Sequence, residues 1–284
     1  MDKHAMQLTV DPYPVKARTV DLCPGAKEDL GERLRHYNRR VNKTFAFEQG
    51  IGYYYQFDIM LKPDVEQNAI LPYDNNRWPG AIVPYVIAST FNEAERLIIE
   101  ETMRHYQSLT CVQFKNRTKD DTIYLKIDNT ASGCWSYVGR SPNNAYNLVN
   151  LQKSGCITSG TVAHELMHAL GFYHEFTRPD RDEYITINIS ALAREYQTES
   201  FYNANFAKHT NEQVELYNIP YNYGSVMHYS KYAGAASLDS PVMMPRTTAA
   251  IITITTTTAN KISTTTKPQC RQKPHVCGII FYKH

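Results

Sequence analysis

The tightest constraint on this chain is residues 161–185, TVAHELMHALGFYHEFTRPDRDEYI. His164 and His168 stand four residues apart. On a helix that spacing leaves about 40° of azimuth and about 6 Å of rise, so both imidazoles leave one face toward a single point. Glu165 follows the first of them, where its carboxylate reaches a metal-held water rather than the metal, the geometry of a general base in zinc hydrolysis. Gly171 offers a backbone able to take φ > 0 and end the helix, and a sharp turn there returns His174 as a third ligand. A shuffled chain of this composition contains HExxH about 0.02 times, and the version extended by Gly171 and His174 about 3 times in 100,000. Three neutral imidazoles with an open position describe a catalytic zinc site, since a closed structural site takes a fourth protein ligand, usually Cys. Zinc brings the pKa of its water to about 7, so a nucleophile is available at neutral pH with Glu165 shuttling the proton. Peptide hydrolysis is the natural reaction.

Composition narrows the partners. The 284 residues, 42% of them apolar, suffice for one sizeable domain or two small ones. Thirty Lys+Arg against 28 Asp+Glu leave a net charge of +2, too little for the basic surface that nucleic acid requires. No run of about 18 apolar residues is present, which excludes a membrane-spanning helix. Six cysteines without a CxxC pair point to disulfides and an oxidising compartment. The sequons at Asn42, Asn116 and Asn188 agree with secretion. The stretch MDKHAMQLTVDPYPVKARTV has no apolar h-region, and an incomplete start is the favoured explanation.

Residues 1 to about 67 are polar and Tyr-rich, with a helix expected over Glu28 to Asn42 and an aromatic cluster, YYYQF, ending at Phe57. They read as an appended segment. From Arg77 the texture changes. WPGAIVPYVIAST reads as a strand, and FNEAERLIIEETMRHYQSLT as an amphipathic helix opened by a capping box of Asn92 and Glu95. CVQFK at 111–115, TIYLKID at 122–128 and YNLVNLQ at 146–152 read as strands, and SGCWSYVGRSPNNA between the last two as loop. The order suggests α+β with a mixed sheet, YNLVNLQ lying at its edge above a cleft where a substrate adds as a further strand. Pro241 to His284 is Thr-rich and low in complexity, with strand propensity or the character of a solvated, O-glycosylated tail.

The string HELMHALGFYHEFTRPDRDEY meets the pattern HExxHxxGFxHExxRxDRDxY at every fixed position; SVMHY at 225–229 and GCWSYVGR at 133–140 accompany it. Over roughly residues 53 to 235 the chain thereby resembles the astacin family of zinc metalloendopeptidases. The resemblance implies a metzincin fold: a twisted mixed sheet, an active-site helix above the cleft, and an irregular C-terminal subdomain with a Met-turn. It implies one zinc on His164, His168 and His174, with Glu165 as base. Met227 would form a hydrophobic floor beneath the metal, and Tyr229 would ligate zinc at rest and stabilise the oxyanion during reaction. Glu175 matches the glutamate that engages the new N-terminus after activation. Arg178, Asp180, Arg181 and Asp182 read as structural salt bridges. Two disulfides follow from the same resemblance, Cys134 with Cys156 and Cys111 with Cys270, leaving Cys23 and Cys277.

FDIML at 57–61 resembles the end of the family's pro-segment motif FxGD. Tyr55 and Phe57 replace its Phe and Gly while Asp58 is kept, which implies that Asp58 binds zinc in a latent form and blocks water. Cleavage is expected near Gln67 to Ala69, where no basic residue immediately precedes to suit a trypsin-like activator. The expected organisation is therefore a segment 1–67 that includes the pro-segment, a catalytic domain 68–270 that is atypical from about 236, and a tail 271–284. The expected product is a secreted zymogen of a zinc endopeptidase, with polypeptide substrates and an activating protease as partners. One rival is a zinc-binding relative made incompetent by the Thr-rich part. The other is a non-haem iron oxygenase, disfavoured because a third His is placed by Gly171.

Overall fold

The computed structural model describes residues 30–39, 43–62 and 76–246. The described residues open with α1, Leu30–Arg35, which ends before the expected Asn42 where Tyr37 N donates to the Leu34 carbonyl and the Tyr37 hydroxyl to the Thr44 carbonyl. Strand β1, Ile82–Ile87, leads to α2, Glu93–Leu109. The expected capping box is formed in both directions: Glu95 N donates to Asn92 Oδ1 at 2.9 Å and Asn92 N to Glu95 Oε2 at 2.8 Å. Helix α2 buries Ile99, Thr102, Met103 and Tyr106, a stripe spaced by three, one and three residues that faces one side.

Strands β2 (Gln113–Asn116), β3 (Leu125–Asp128), β4 (Cys134–Ser136) and β5 (Leu148–Leu151) complete a mixed sheet of order β2-β1-β3-β5-β4. Pairing is parallel as far as β5, and β4 alone is antiparallel. This corrects two expectations. Part of the presumed loop is a strand, and β4 rather than β5 forms the edge. Gly, Ser and Asn around Cys134–Ser136 conceal a strand whose ladder is dictated by its neighbour, with Asn150 Nδ2 donating to the Gly133 carbonyl at 2.7 Å. Such pairing is tertiary and leaves no periodic trace in three residues.

The active helix is α3, Ser159–Leu170. The Thr158 hydroxyl accepts from Thr161 N at its start, and Gly171 closes it at φ 113°, a left-handed value that suits glycine. Tyr106 OH donates to the Ala163 carbonyl and Trp78 Nε1 to the Ala169 carbonyl, which fix the helix against α2 and against the chain entering β1. The Cys134–Cys156 disulfide ties β4 to the loop before α3. From 172 to 246 the chain is mostly single turns, with a small antiparallel pair, β6 (Ile185–Ile187) and β7 (Met243–Pro245), and a short helix between them, α4 (Glu199–Asn205). This is the α+β architecture expected, with its irregular C-terminal part.

The described part of the N-terminal segment packs into the core. Leu30, Leu34, Phe47, Phe57 and Ile59 are buried, and all but Ile59 belong to the same apolar cluster as the sheet and α3. At the sheet edge Ser136 N donates to the Asp58 carbonyl at 3.0 Å and Met60 N to the Ser136 carbonyl at 2.9 Å, so Ile59 lies parallel to β4. Cys23, Cys270, Cys277, Asn42, the Gln67–Ala69 stretch and the Thr-rich end lie outside the described residues. Cys111 is disulfide-bonded.

Candidate metal centre

Helix α3 projects His164 and His168 from one face, and the turn at Gly171 brings His174 to the same point. The Nε2 atoms of His168 and His174 lie 3.1 Å apart, and those of His174 and His164 3.3 Å apart. A tetrahedron around an ion with nitrogen bonds of about 2.0 Å has edges of about 3.3 Å. Every other ring nitrogen faces an oxygen that only accepts. His164 Nδ1 donates to the Val226 carbonyl at 2.7 Å, His168 Nδ1 to the Phe172 carbonyl at 2.7 Å, and His174 Nδ1 to Gln56 Oε1 at 2.9 Å. All three Nε2 lone pairs therefore point inward at one another, an arrangement that repels unless a cation sits among them.

Asp58 fills the remaining position. Its Oδ2 is 2.8 Å from His164 Nε2, and its Oδ1 lies 3.3 and 3.1 Å from those of His168 and His174. All four side chains are buried and form a cluster able to hold a metal ion. Burial pushes the Asp58 carboxyl up, but the three imidazoles together outweigh it and hold the group well below its ordinary value. Burial drives His164 down, and His174 down to about 3, with the Asp58 charge acting in the opposite direction on both. Among the described residues, Glu165, fully buried next to His164, finds no hydrogen-bond partner for either carboxylate oxygen. Burial, then the Asp58 charge, raises its pKa well above the carboxylate range. Three inward lone pairs and the Asp58 carboxylate, beside two unpartnered buried oxygens, fit a divalent ion at their centre.

The segment before Met227 meets the site through Val226, whose carbonyl accepts from His164 Nδ1. Met227 is buried in a turn in which His228 N donates to the Ser225 carbonyl, and its own carbonyl accepts from Glu175 N at 2.9 Å. The Tyr229 hydroxyl, also buried, donates to the Gln56 carbonyl, and burial raises its pKa well above the usual tyrosine value. Glu175 Oε1 accepts from Asn222 N at 2.7 Å and from Arg178 Nη1 at 3.0 Å. Arg178 also pairs with Asp180 at 2.8 Å, and buried Arg181 with Asp182 at 2.7 Å while donating to the carbonyls of Phe176 and Phe206. These charges hold loops together, as the sequence suggested.

Sequence reasoning missed four groups that shape the site. The Phe47 ring covers His164. Glu48 clamps Ser230, next to Tyr229, through both its backbone N–H at 2.6 Å and its hydroxyl at 2.8 Å. Gln56 grips His174, and His209 faces Gln56 at 3.3 Å between their Nε2 atoms. Each comes from a distant stretch of chain with no spacing rule to reveal it.

A fold, a helix and a three-histidine centre of this kind define a metzincin-type metalloproteinase. The model of the Astacin peptidase family matches residues 71–269. The chain is 35% identical over 190 residues to zinc metalloproteinase nas-14 of Caenorhabditis elegans, covering 66% of this chain and 36% of that one. It is 36% identical over 169 residues to bone morphogenetic protein 1 of Xenopus laevis, covering 60% and 23%. In three dimensions it is similar to high choriolytic enzyme 1, a hatching enzyme zinc-protease of medaka, with a TM-score of 0.52, 33% identity and coverage of 60% and 79%. The chain belongs to the astacin family, whose members are zinc endopeptidases. It spans about a third or less of the length of these curated relatives. Among the described residues, no helix is long and apolar enough to cross a membrane.

Proposed function

We propose that this chain is a secreted zinc endopeptidase held latent by its own N-terminal segment. One observation carries the reading: three inward Nε2 lone pairs meet beside an unpartnered buried Glu165, and the Asp58 carboxylate lies within 3.3 Å of each of them.

His164, His168 and His174 would hold the zinc. When bound, the ion polarises the scissile carbonyl and acidifies a water molecule. Glu165 takes a proton from the attacking water and returns it to the leaving amide nitrogen, so the proton count closes over the cycle. The Tyr229 hydroxyl is tied to the Gln56 carbonyl while the segment is docked; once released it donates to the oxygen on which charge develops. Met227 is the apolar floor of the centre. An extended polypeptide substrate would take main-chain hydrogen bonds along β4, in the place held by Asp58 to Met60. Removal of the segment requires an activating protease cutting near Gln67 to Ala69. The disulfides at Cys134–Cys156 and Cys111 support an oxidising, extracellular setting, with Cys270 the proposed partner of Cys111. The sequons support a glycoprotein.

The test compares processed and uncut chains. Processed protein digests a denatured substrate, stops with a chelator, and loses about 10²–10⁴-fold in rate as Glu165→Ala with zinc still bound. Uncut protein is inert, and Asp58→Ala gives it activity. A processed, zinc-loaded chain without turnover supports the catalytically incompetent alternative instead.

A further inference from the structure

His174 differs from the other two histidines in the origin of its outer partner. Val226 and Phe172, whose carbonyls receive His164 Nδ1 and His168 Nδ1, belong to the same body as the helix. The acceptor for His174 Nδ1 is the side chain of Gln56, two residues before Asp58. The other end of that amide is also engaged, Gln56 Nε2 lying 3.3 Å from His209 Nε2. His209 is buried against the Tyr173 ring, and burial lowers its pKa to about 4 although Gln213 acts in the opposite direction, so it is a neutral acceptor. One amide thus accepts from the metal-facing ring and donates to the buried one. Its orientation is fixed, with the proton of His174 on Nδ1 and the lone pair on Nε2.

We infer that Gln56 is a positioning residue for the metal: the N-terminal segment supplies both a fourth inner group, Asp58, and the outer-shell partner of the third histidine, so the uncut chain holds zinc more tightly than Asp58 alone provides. Outer-shell partners fix ring orientation and raise ligand basicity, and their loss costs about 10–100-fold in metal affinity. Departure of the segment removes this partner from His174 alone and leaves those of His164 and His168 in place. The inference rests on the zinc-site reading above.

The test uses the full uncut chain loaded with zinc, as wild type, Gln56→Leu and Gln56→Glu, challenged with excess chromogenic chelator while zinc release is followed. Parallel samples are assayed against a quenched peptide. Leucine keeps the bulk and removes the acceptor; glutamate keeps an oxygen facing His174. Gln56→Leu is expected to release zinc about 10-fold faster or more, Gln56→Glu within threefold of wild type, and both to remain inert toward the peptide. Wild-type release from both variants overturns the inference, as does equally fast release from both. Fast release from Gln56→Leu accompanied by peptide cleavage also overturns it, because the segment has then simply undocked. A wild-type chain that takes up no zinc sinks the site reading itself, whereas zinc uptake insensitive to Gln56 sinks this inference alone.

Discussion

The ring of Phe47 lies flat on the imidazole of His164, centroids 3.7 Å apart and planes 7° from parallel. A residue about 117 positions upstream of the first metal-facing histidine therefore forms one wall of the centre. Burying an aromatic ring there contributes through area and stacking together. Phe47→Ala should cost about 3–5 kcal/mol of the docked state. The uncut protein would then melt at lower temperature and cleave a quenched peptide before any processing; unchanged latency and melting would show that Phe47 is dispensable.

Phe57 sits at φ 76°, the left-handed region that glycine occupies freely, in the slot of the pro-segment motif where Gly is usual. Left-handed backbone costs a non-glycine residue about 1–2 kcal/mol. Its fully buried ring, however, packs within 5.2–6.2 Å of Tyr229, Phe206 and Phe201, and removing such a ring costs about 3–5 kcal/mol. Packing outweighs strain. Phe57→Gly should therefore loosen the segment even though it restores the usual motif, seen as a gain in basal peptidase rate; a tighter, more inert variant would reverse the ranking.

Gly50 admits no side chain, since a Cβ there would lie 1.9 Å from the Phe57 carbonyl oxygen. Backbone must move to accommodate alanine. Gly50→Ala is expected to displace the turn that aims Asp58, exposing the segment to limited proteolysis between residues 43 and 62; a digestion pattern identical to wild type would contradict the close approach.

Zinc removal should destabilise the whole molecule, because three inward lone pairs lose the charge that holds them. Metal held at about 1,000 times its Kd adds about 4 kcal/mol, equivalent to about 10 °C of melting temperature for a domain of this size. Calorimetry with and without chelator measures it, metal analysis confirming removal. An unchanged transition would mean that the cluster is stable without an ion.

His209 gives the chain an acid sensitivity separate from the metal ligands. Its folded pKa of about 4 lies below the ordinary 6.5 because of burial. The unfolded chain binds more protons between those values, so stability is full above about pH 6.5 and falls as pH drops toward 4. The loss is on the order of 3 kcal/mol. His209→Gln should flatten the decline in melting temperature over that window relative to wild type; parallel curves would assign the decline elsewhere.

Local patterns foretold most of what is local. The i, i+4 histidines, the Asn92–Glu95 box and the helix end at Gly171 are short-range steric and hydrogen-bonding rules, and the structure shows each where the residues put it. Strand β4 escaped because its three residues acquire their conformation from β5 and from the Asn150 side chain. The segment looked appended because its polar texture hides a few large apolar residues that reach the core only when it folds across the sheet.

By itself, then, the sequence determined the three converging histidines, the carboxylate beside them and the family, since a helix's pitch alone aligns His164 and His168 and one glycine returns His174. The tertiary structure decided what encloses that centre: Phe47 on His164, Glu48 on Ser230, Gln56 on His174, and β4 as the edge where Ile59 lies. Those contacts join residues roughly 80 to 180 positions apart in the chain, and no helical or strand periodicity links such distances. Only burial of the segment's apolar side chains against the common core brings them together.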